Sequence, residues 1–358
     1  MTDVASTTTV EPSDLLSRYG ALQRSEPNLR VRDAAGRLGV SEAELVAARC
    51  GRGVVRLDGR WGALLEALPG LGPVMTLTRN EYAVHEKVGR YEPVSVSGDG
   101  ALVTGPDIDL RIRLSRWRFG YAVTDKTERV VRQSLQFFDA AGTAVHKIYL
   151  REDSDVDAYT RLIAAHVAED QSAGERVDAR APRARPRTGE VDVEALRRRW
   201  RALEDVHQFS PMLRDLKVSR VRACELVGPE FAERVAPDSF RIALERAAAQ
   251  SLPIMVFVPS PGVVQIHTGP VKNLKRVGEW FNVLDPGFNL HLRDGGIAEA
   301  WILRKPTTEG VITSLEIFDA DGSQIAWMFG QRDRGAPERP EWRRLVDGLE
   351  RTESAAAE

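Results

Sequence analysis

The chain has 358 residues, 42 % hydrophobic and 28 % charged, a globular balance with enough apolar side chains for two domains or one large one. Its net charge of −2 argues against a broad polyanion-binding surface, although local basic patches remain compatible with it. The two cysteines, Cys50 and Cys224, provide neither a metal-site spacing nor a disulfide framework and fit a reducing compartment.

The N-terminal stretch MTDVASTTTVEPSD is polar and acidic, unlike a signal peptide. No apolar run approaches the roughly 18–20 residues of a membrane span. The expectation is a soluble cytoplasmic protein without membrane insertion. Residues 31–51, VRDAAGRLGVSEAELVAARCG, have a helix–turn–helix look, and Ser41 with Glu44 forms a capping-box pattern. The second helix would begin Ser-Glu-Ala-Glu, setting two carboxylates where a DNA reader meets phosphate. A structural helix pair and no nucleic-acid partner are expected.

In DIDLRIRL, Ile108, Leu110, Ile112 and Leu114 alternate with Asp109, Arg111 and Arg113, the period-two pattern of a strand. The stretch QSAGERVDARAPRARPRTGEVD, 171–192, lacks aromatic residues and apolar periodicity and predicts a solvated tether. On either side of it the chain resembles itself. SLQFFDAAGT at 134–143 matches SLEIFDADGS at 314–323, an offset of 180. The same ungapped register pairs Met75 with Met255, Gly89 with Gly269, Leu110 with Leu290 and Arg113 with Arg293, from which we infer an internal duplication. The fold expected is α+β. Two tandem homologous halves, 15–168 and 193–350, are joined by a flexible linker at 169–192. Each half carries a large antiparallel sheet with flanking helices. SLEIFDADGSQIAWMF, with its Asp-Ala-Asp-Gly turn, predicts a hairpin.

In the second half Val193, Leu196, Trp200 and Leu203 form one apolar helix face, and His207 continues that spacing. Ser210-Pro211 looks like a new N-cap and first helical residue. His207 is therefore expected near a helix–helix junction, on the buried side. Tyr19, Ala21 and Leu22 align with Trp200, Ala202 and Leu203 at an offset of 181, which puts Glu26 opposite His207. The histidine is unique to one copy. Two readings stay open: a hydrogen-bonded core histidine, or a ligand to a metal or haem iron.

DVHQF (205–209), RNEYAVHEKVGRYE (79–92), DLRIRL (109–114), PVKNLKRVGEWFNVLDPGFNLHLR (270–293), AWILRKPTTEGVITSLEIFDADGSQIA (300–326) and FGQR (329–332) together resemble the bacterial hemin-degrading factor and hemin transport protein family, of the HemS/HmuS type. The resemblance runs in order from about residue 15 to 350, leaving out the tether. It implies a cytoplasmic protein of iron acquisition that binds one haem, as ligand or substrate, in a cleft between sheet and helices. Some members break the porphyrin, and others carry it intact to a separate oxygenase.

Carried over by motif, the proximal iron ligand is His207 and the distal, catalytic arginine is Arg111. The cations that meet propionates are Arg220, Lys305 and Arg332. An inner-membrane haem importer and an external reductase are the partners implied, and the chain has no NAD, flavin or iron–sulfur motif of its own. His85 is expected to be a hydrogen-bonded strand residue in preference to a second haem ligand. Two positions depart from the pattern: Phe329 stands where relatives tend to have tyrosine, and Arg113 where an apolar aromatic is frequent. A haem carrier, or a binder of another planar tetrapyrrole, is the alternative function.

Overall fold

A computed structural model describes residues 11–27, 29–126, 130–179, 191–333 and 335–352. The first half begins with helices α1 (Pro12–Ser25), α2 (Val31–Leu38) and α3 (Glu42–Ala47), then strand β1 (Val54–Arg56) and helix α4 (Trp61–Ala67). Eight strands follow: β2 (Pro73–Arg79), β3 (Ala83–Arg90), β4 (Ser95–Ser97), β5 (Gly100–Thr104), β6 (Asp109–Arg113), β7 (Phe119–Lys126), β8 (Val131–Phe138) and β9 (Ala144–Leu150). Helix α5 (Val156–His166) closes the half.

The second half runs through α6 (Val193–Arg201), α7 (Phe209–Asp215), α8 (Arg220–Val227), β10 (Ala232–Val235) and α9 (Ser239–Ala249). Its strands are β11 (Ile254–Pro259), β12 (Val263–Gly269), β13 (Leu274–Val277), β14 (Trp280–Asp285), β15 (Phe288–Leu292), β16 (Glu299–Thr307), β17 (Gly310–Phe318) and β18 (Gln324–Gly330), and α10 (Pro340–Asp347) follows.

The fold is α+β, with two antiparallel sheets of nine strands each. One has the order β1-β7-β8-β9-β2-β3-β15-β14-β13 and the other β10-β16-β17-β18-β11-β12-β6-β5-β4. The two orders correspond strand for strand, and each sheet takes three strands from the other half. β15 pairs with β3 through Leu290 and His85, and β6 pairs with β12 through Arg111 and Val264. A half-by-half reading of the sequence places these triplets in their own half's sheet. Period-two patterning tells which residues share a face, not which sheet the strand joins.

The apolar stripes of the helices cover these sheets. Phe240, Leu244 and Ala247 of α9 and Trp342 and Val346 of α10 bury themselves against Val256, Ile302, Leu315 and Met328. On the opposite face of the same sheet, Leu196, Trp200, Phe209, Met212 and Cys224 pack on Trp301, Leu303 and Phe318. The Trp200 indole N–H also donates to the Arg304 carbonyl at 2.8 Å, pinning α6 to β16.

The capping box at Ser41 and Glu44 forms as the spacing predicts. Helix α3 is only six residues long and mostly buried, so it presents no free face to a groove. The predicted tether is docked over its first residues. The Gln171 side chain bridges the backbone N–H and carbonyl of Arg56 (both 2.9 Å), and Glu175 accepts from the Tyr121 hydroxyl at 2.7 Å and pairs with Arg56. Arg56 and Tyr121 need acceptors in a half-buried place, and the chain after α5 supplies them. Residues 180–190 of the tether lie outside the described residues.

Candidate functional site

The continuous helical face expected up to His207 stops early. α6 ends at Arg201, and a short 3-10 turn, Val206–Gln208, carries the histidine. α7 begins at Phe209, so Ser210-Pro211 lies inside its first turn and is not its cap. His207 is consequently exposed, with 85 % of its side chain accessible, and not buried as its spacing predicted. Asp205 organises the turn. Its Oδ1 accepts from the His207 backbone N–H at 2.7 Å and lies 2.5 Å from His207 Nδ1. The backbone N–H of His207 is the main reason the Asp205 carboxyl sits below its usual pKa.

This arrangement fixes the ring by one nitrogen and directs the other outward, as a carboxylate behind a metal-ligating histidine does. An open cleft of about 510 Å³ beside the histidine is lined by Arg199, Ala202, Leu203, Gln208, Pro211, Met212 and Asp215. None of the other predicted site residues lines it.

Of those residues Arg111 lies on β6 and Lys305 on β16 of the same sheet, while Arg220 opens α8 and Arg332 follows β18. The ladders β6–β12, β12–β11, β11–β18, β18–β17 and β17–β16 connect Arg111 to Val264 and Pro259, and Phe257 to Trp327, Glu316 and Trp301. Alternation along each strand therefore puts all of them on one face. Helices α6–α8 cover this face over β16 and β17. Beyond their edge Phe257, Trp327, Phe329 and Val264 are half-buried, and Leu102 is exposed. Phe257 stacks on Trp327 with ring centroids 5.2 Å apart and meets Phe329 edge-on at 5.4 Å. The result is an aromatic shelf with Arg111 farther along it.

Arg111 is 41 % exposed and pairs with Asp109 on its own strand. Arg113, on the same face, is more exposed and stands 3.8 Å from Asp99. Strand exchange brings Arg111, from the first half, onto the sheet that supports the His207 turn.

Arg220, Lys305 and Arg332 all have carboxylate partners. Arg332 pairs with Glu309. Arg220 and Lys305 share Glu316, at 2.6 and 2.7 Å. Burial would raise the Glu316 pKa, but the two cations outweigh it and bring it down to about 2. Lys305 is buried, where an exposed surface cation is the ordinary expectation for lysine.

Helix α8 starts at Arg220 after the capping Ser219, as α3 starts at Glu42 after Ser41. The helix-start charge is reversed between them, for Glu42 is clamped by Arg79 and Lys147. The sequence motifs point to neither Asp205 nor Glu316. An acid two residues before the histidine was a usable signal for the first. The second needs the sheet register.

The remaining histidines lie elsewhere. His85 is fully buried between the sheets, its ring 4.9 Å from the Phe288 ring centroid. His146 bridges Thr78 and the Tyr91 hydroxyl, each at 2.9 Å. His166 lies 3.3 Å from Asp58.

The model of the Haemin-degrading HemS/ChuX domain family matches residues 39–166 and 217–349, and the chain belongs to that family. Among its relatives is the hemin transport protein HmuS of Yersinia pestis, 39 % identical over 346 residues, spanning 96 % of this chain and 99 % of the relative. The crystal structure of holo-PhuS, a heme-binding protein from Pseudomonas aeruginosa, superposes with a TM-score of 0.93 at 47 % identity, covering 96 % of this chain and 100 % of that one. ChuS, a heme-degrading enzyme of Escherichia coli O157:H7, does so with a TM-score of 0.88 at 36 % identity, covering 94 % and 99 %. No helix among the described residues is long and apolar enough to cross a membrane.

Proposed function

We propose that this protein binds one haem in the cytoplasm as part of iron acquisition, with His207 as the axial ligand, and opens the ring when oxygen and electrons are supplied. The observation that carries this reading is the Asp205–His207 pair. An exposed imidazole with Nδ1 held at 2.5 Å by a carboxylate keeps Nε2 for a metal. The aromatic shelf of Phe257, Trp327 and Phe329 suits one face of a flat macrocycle.

Haem itself supplies the iron and the oxidisable ring; this chain's residues bind and orient it. Arg111, whose guanidinium offers only N–H donors, would donate hydrogen bonds on the side of the iron away from His207, without ligating. Arg220, Lys305 and Arg332 are the cations nearest the role of propionate partners, and each would share itself between its present carboxylate and the incoming one. An inner-membrane importer delivering haem and an external reductase complete the proposal.

The test is an absorbance titration with hemin, wild type beside His207→Ala. Saturable one-to-one binding with a sharp Soret band, altered in the variant, supports the reading. A spectrum indifferent to His207 sinks it. The openness of the cleft beside His207 favours a second reading, a carrier that hands haem on intact. Supplying reductant and oxygen separates the two, because a carrier keeps its Soret band and a catalyst loses it with release of a tetrapyrrole product.

A further inference from the structure

The turn that carries His207 is held from behind by a buried ionic cluster. Glu316 is fully buried on β17. Its carboxylate accepts from Arg220 at 2.6 Å, Lys305 at 2.7 Å, the Ser314 hydroxyl at 2.8 Å and the Gln324 amide at 2.8 Å. Both cations then press on the residue next to the histidine turn. The Arg220 guanidinium lies 4.9 Å from the Phe209 ring centroid, and the Lys305 ammonium lies 4.8 Å from it. Arg220 also donates to the Ser210 hydroxyl at 2.9 Å. Phe209 and Ser210 are the first two residues of α7, and His207 stands two residues before Phe209.

We propose that Glu316 is a positioning residue: by holding Arg220 and Lys305 against Phe209 and Ser210 it fixes the start of α7, and through it the direction in which the His207 imidazole leaves its turn. This rests on the haem-ligand reading of His207.

The alternative is that Glu316 sets nothing in the turn and only lowers the charge that Arg220 and Lys305 offer to the cargo's carboxylates. Geometry favours positioning. The lone pairs of Glu316 are filled, Lys305 is buried, and both cations are aimed at a ring. The residues 180 before Glu316 and Lys305 are Gln136 and Asp125, so the first half, which lacks the histidine, does not repeat this carboxylate and lysine; its own buried cluster joins Glu42 to Arg79 and Lys147.

The two models give opposite signs. Hemin titration and electron paramagnetic resonance of the complex would be measured for wild type, Glu316→Gln, His207→Ala and the double variant. Positioning predicts that Glu316→Gln weakens hemin binding roughly tenfold and changes the resonance anisotropy, while adding nothing in the His207→Ala background. Tighter binding in Glu316→Gln, or an equal loss in both backgrounds, overturns the proposal.

Ser210→Ala leaves the ion cluster intact and decides the matter should Glu316→Gln not fold. A smaller loss that disappears without His207 supports positioning, and an unchanged affinity and resonance spectrum overturn it. If His207→Ala itself leaves the hemin spectrum unchanged, the ligand reading fails and the proposal falls with it. Coupling is lost with the ligand intact only when the proposal alone is wrong.

Discussion

Lys87 and His267 stand 180 residues apart, at matching points of β3 and β12, and meet each other with Lys87 Nζ 3.5 Å from His267 Nδ1. Residues that correspond across an offset touch when they flank a pseudo-twofold axis. The seam between the two sheets runs through this point, and it is polar. Gln265 donates to the backbone carbonyl and hydroxyl of Thr76 at 3.2 and 3.1 Å, and His85 lies buried nearby against Phe288.

That seam sets a pH dependence. Burial pushes His85 well below its usual pKa and brings His146 and His267 down to about 3. A histidine whose folded pKa is depressed contributes its full stability above about 6.5, its unfolded value, and loses it as pH falls toward the folded value, since the unfolded chain then binds more protons. Each such histidine removes about 1.4 kcal/mol per pH unit through that window. The buried carboxylates Glu42 and Glu316, held at about 2, begin to lose theirs only below about pH 4.5. Urea unfolding midpoints are therefore expected to drop between pH 7.5 and 5, less steeply in His146→Gln. A midpoint flat across that range would contradict the assignment.

Lys217 has φ of +53°, in the left-handed region, where it ends α7 with Val218 N–H donating to the Leu213 carbonyl. Gly39 ends α2 in the same way, with φ of +73° and Val40 donating to Ala35. The side chain costs about 1–2 kcal/mol in this conformation, and glycine gives part of that back as chain entropy. Lys217→Gly is expected to stabilise the protein by about 0.5–1 kcal/mol with hemin affinity unchanged. Thermal denaturation beside a hemin titration measures both, and a lower melting temperature would count against the strain.

Arg111 is assigned to donate a hydrogen bond on the open side of the iron, so its removal ought to affect turnover more than uptake. Arg111→Leu is expected to bind hemin within about threefold of wild type and to lose the Soret band roughly tenfold more slowly under ascorbate and oxygen, the worth of one charge-assisted bond. An unchanged rate, or a collapse of affinity like that of His207→Ala, would remove Arg111 from this role.

Strand exchange predicts how an isolated half behaves. Residues 191–352 contain β13–β15 but lack β4–β6, the triplet that completes their own sheet. A second copy has the missing strands in equivalent form. The fragment is expected to dimerise by mutual donation of β13–β15. Light scattering on the purified fragment checks it, and a stable monomer would show that the triplet folds back onto its own sheet.

The sequence carried the elements well and their partners poorly. β6, the 314–329 hairpin and the capping box at Ser41 are local patterns, and each forms where its residues predict. β2 is a subtler case. Val74, Thr76 and Thr78 face inward while Met75 and Leu77 are half-buried outside, because the inter-sheet seam is polar and the outer face is only partly covered. His207 was recognisable as a candidate from its motif, but its exposure was not. Nothing in the spacing of Leu196, Trp200 and Leu203 announces that the helix ends at Arg201. Glu316, the partner of both Arg220 and Lys305, lies on β17, 96 residues from Arg220, and only the folded register brings it to that helix start.

The reversed charge at the two helix starts bears on how the chain avoids folding onto itself wrongly. Two similar halves in one polypeptide offer each sheet a choice of helix layers. Were α3 to settle on the second sheet, Glu42 would confront Glu316; were α8 to settle on the first, Arg220 would confront Arg79 and Lys147. The first mismatch buries two carboxylates with Lys305 alone between them and the second buries three cations with no carboxylate, whereas each correct docking closes a buried ion cluster. Glu42 and Arg220 thus act as a keyed pair, letting one chain hold two near copies of the same layer while admitting each to only one seat.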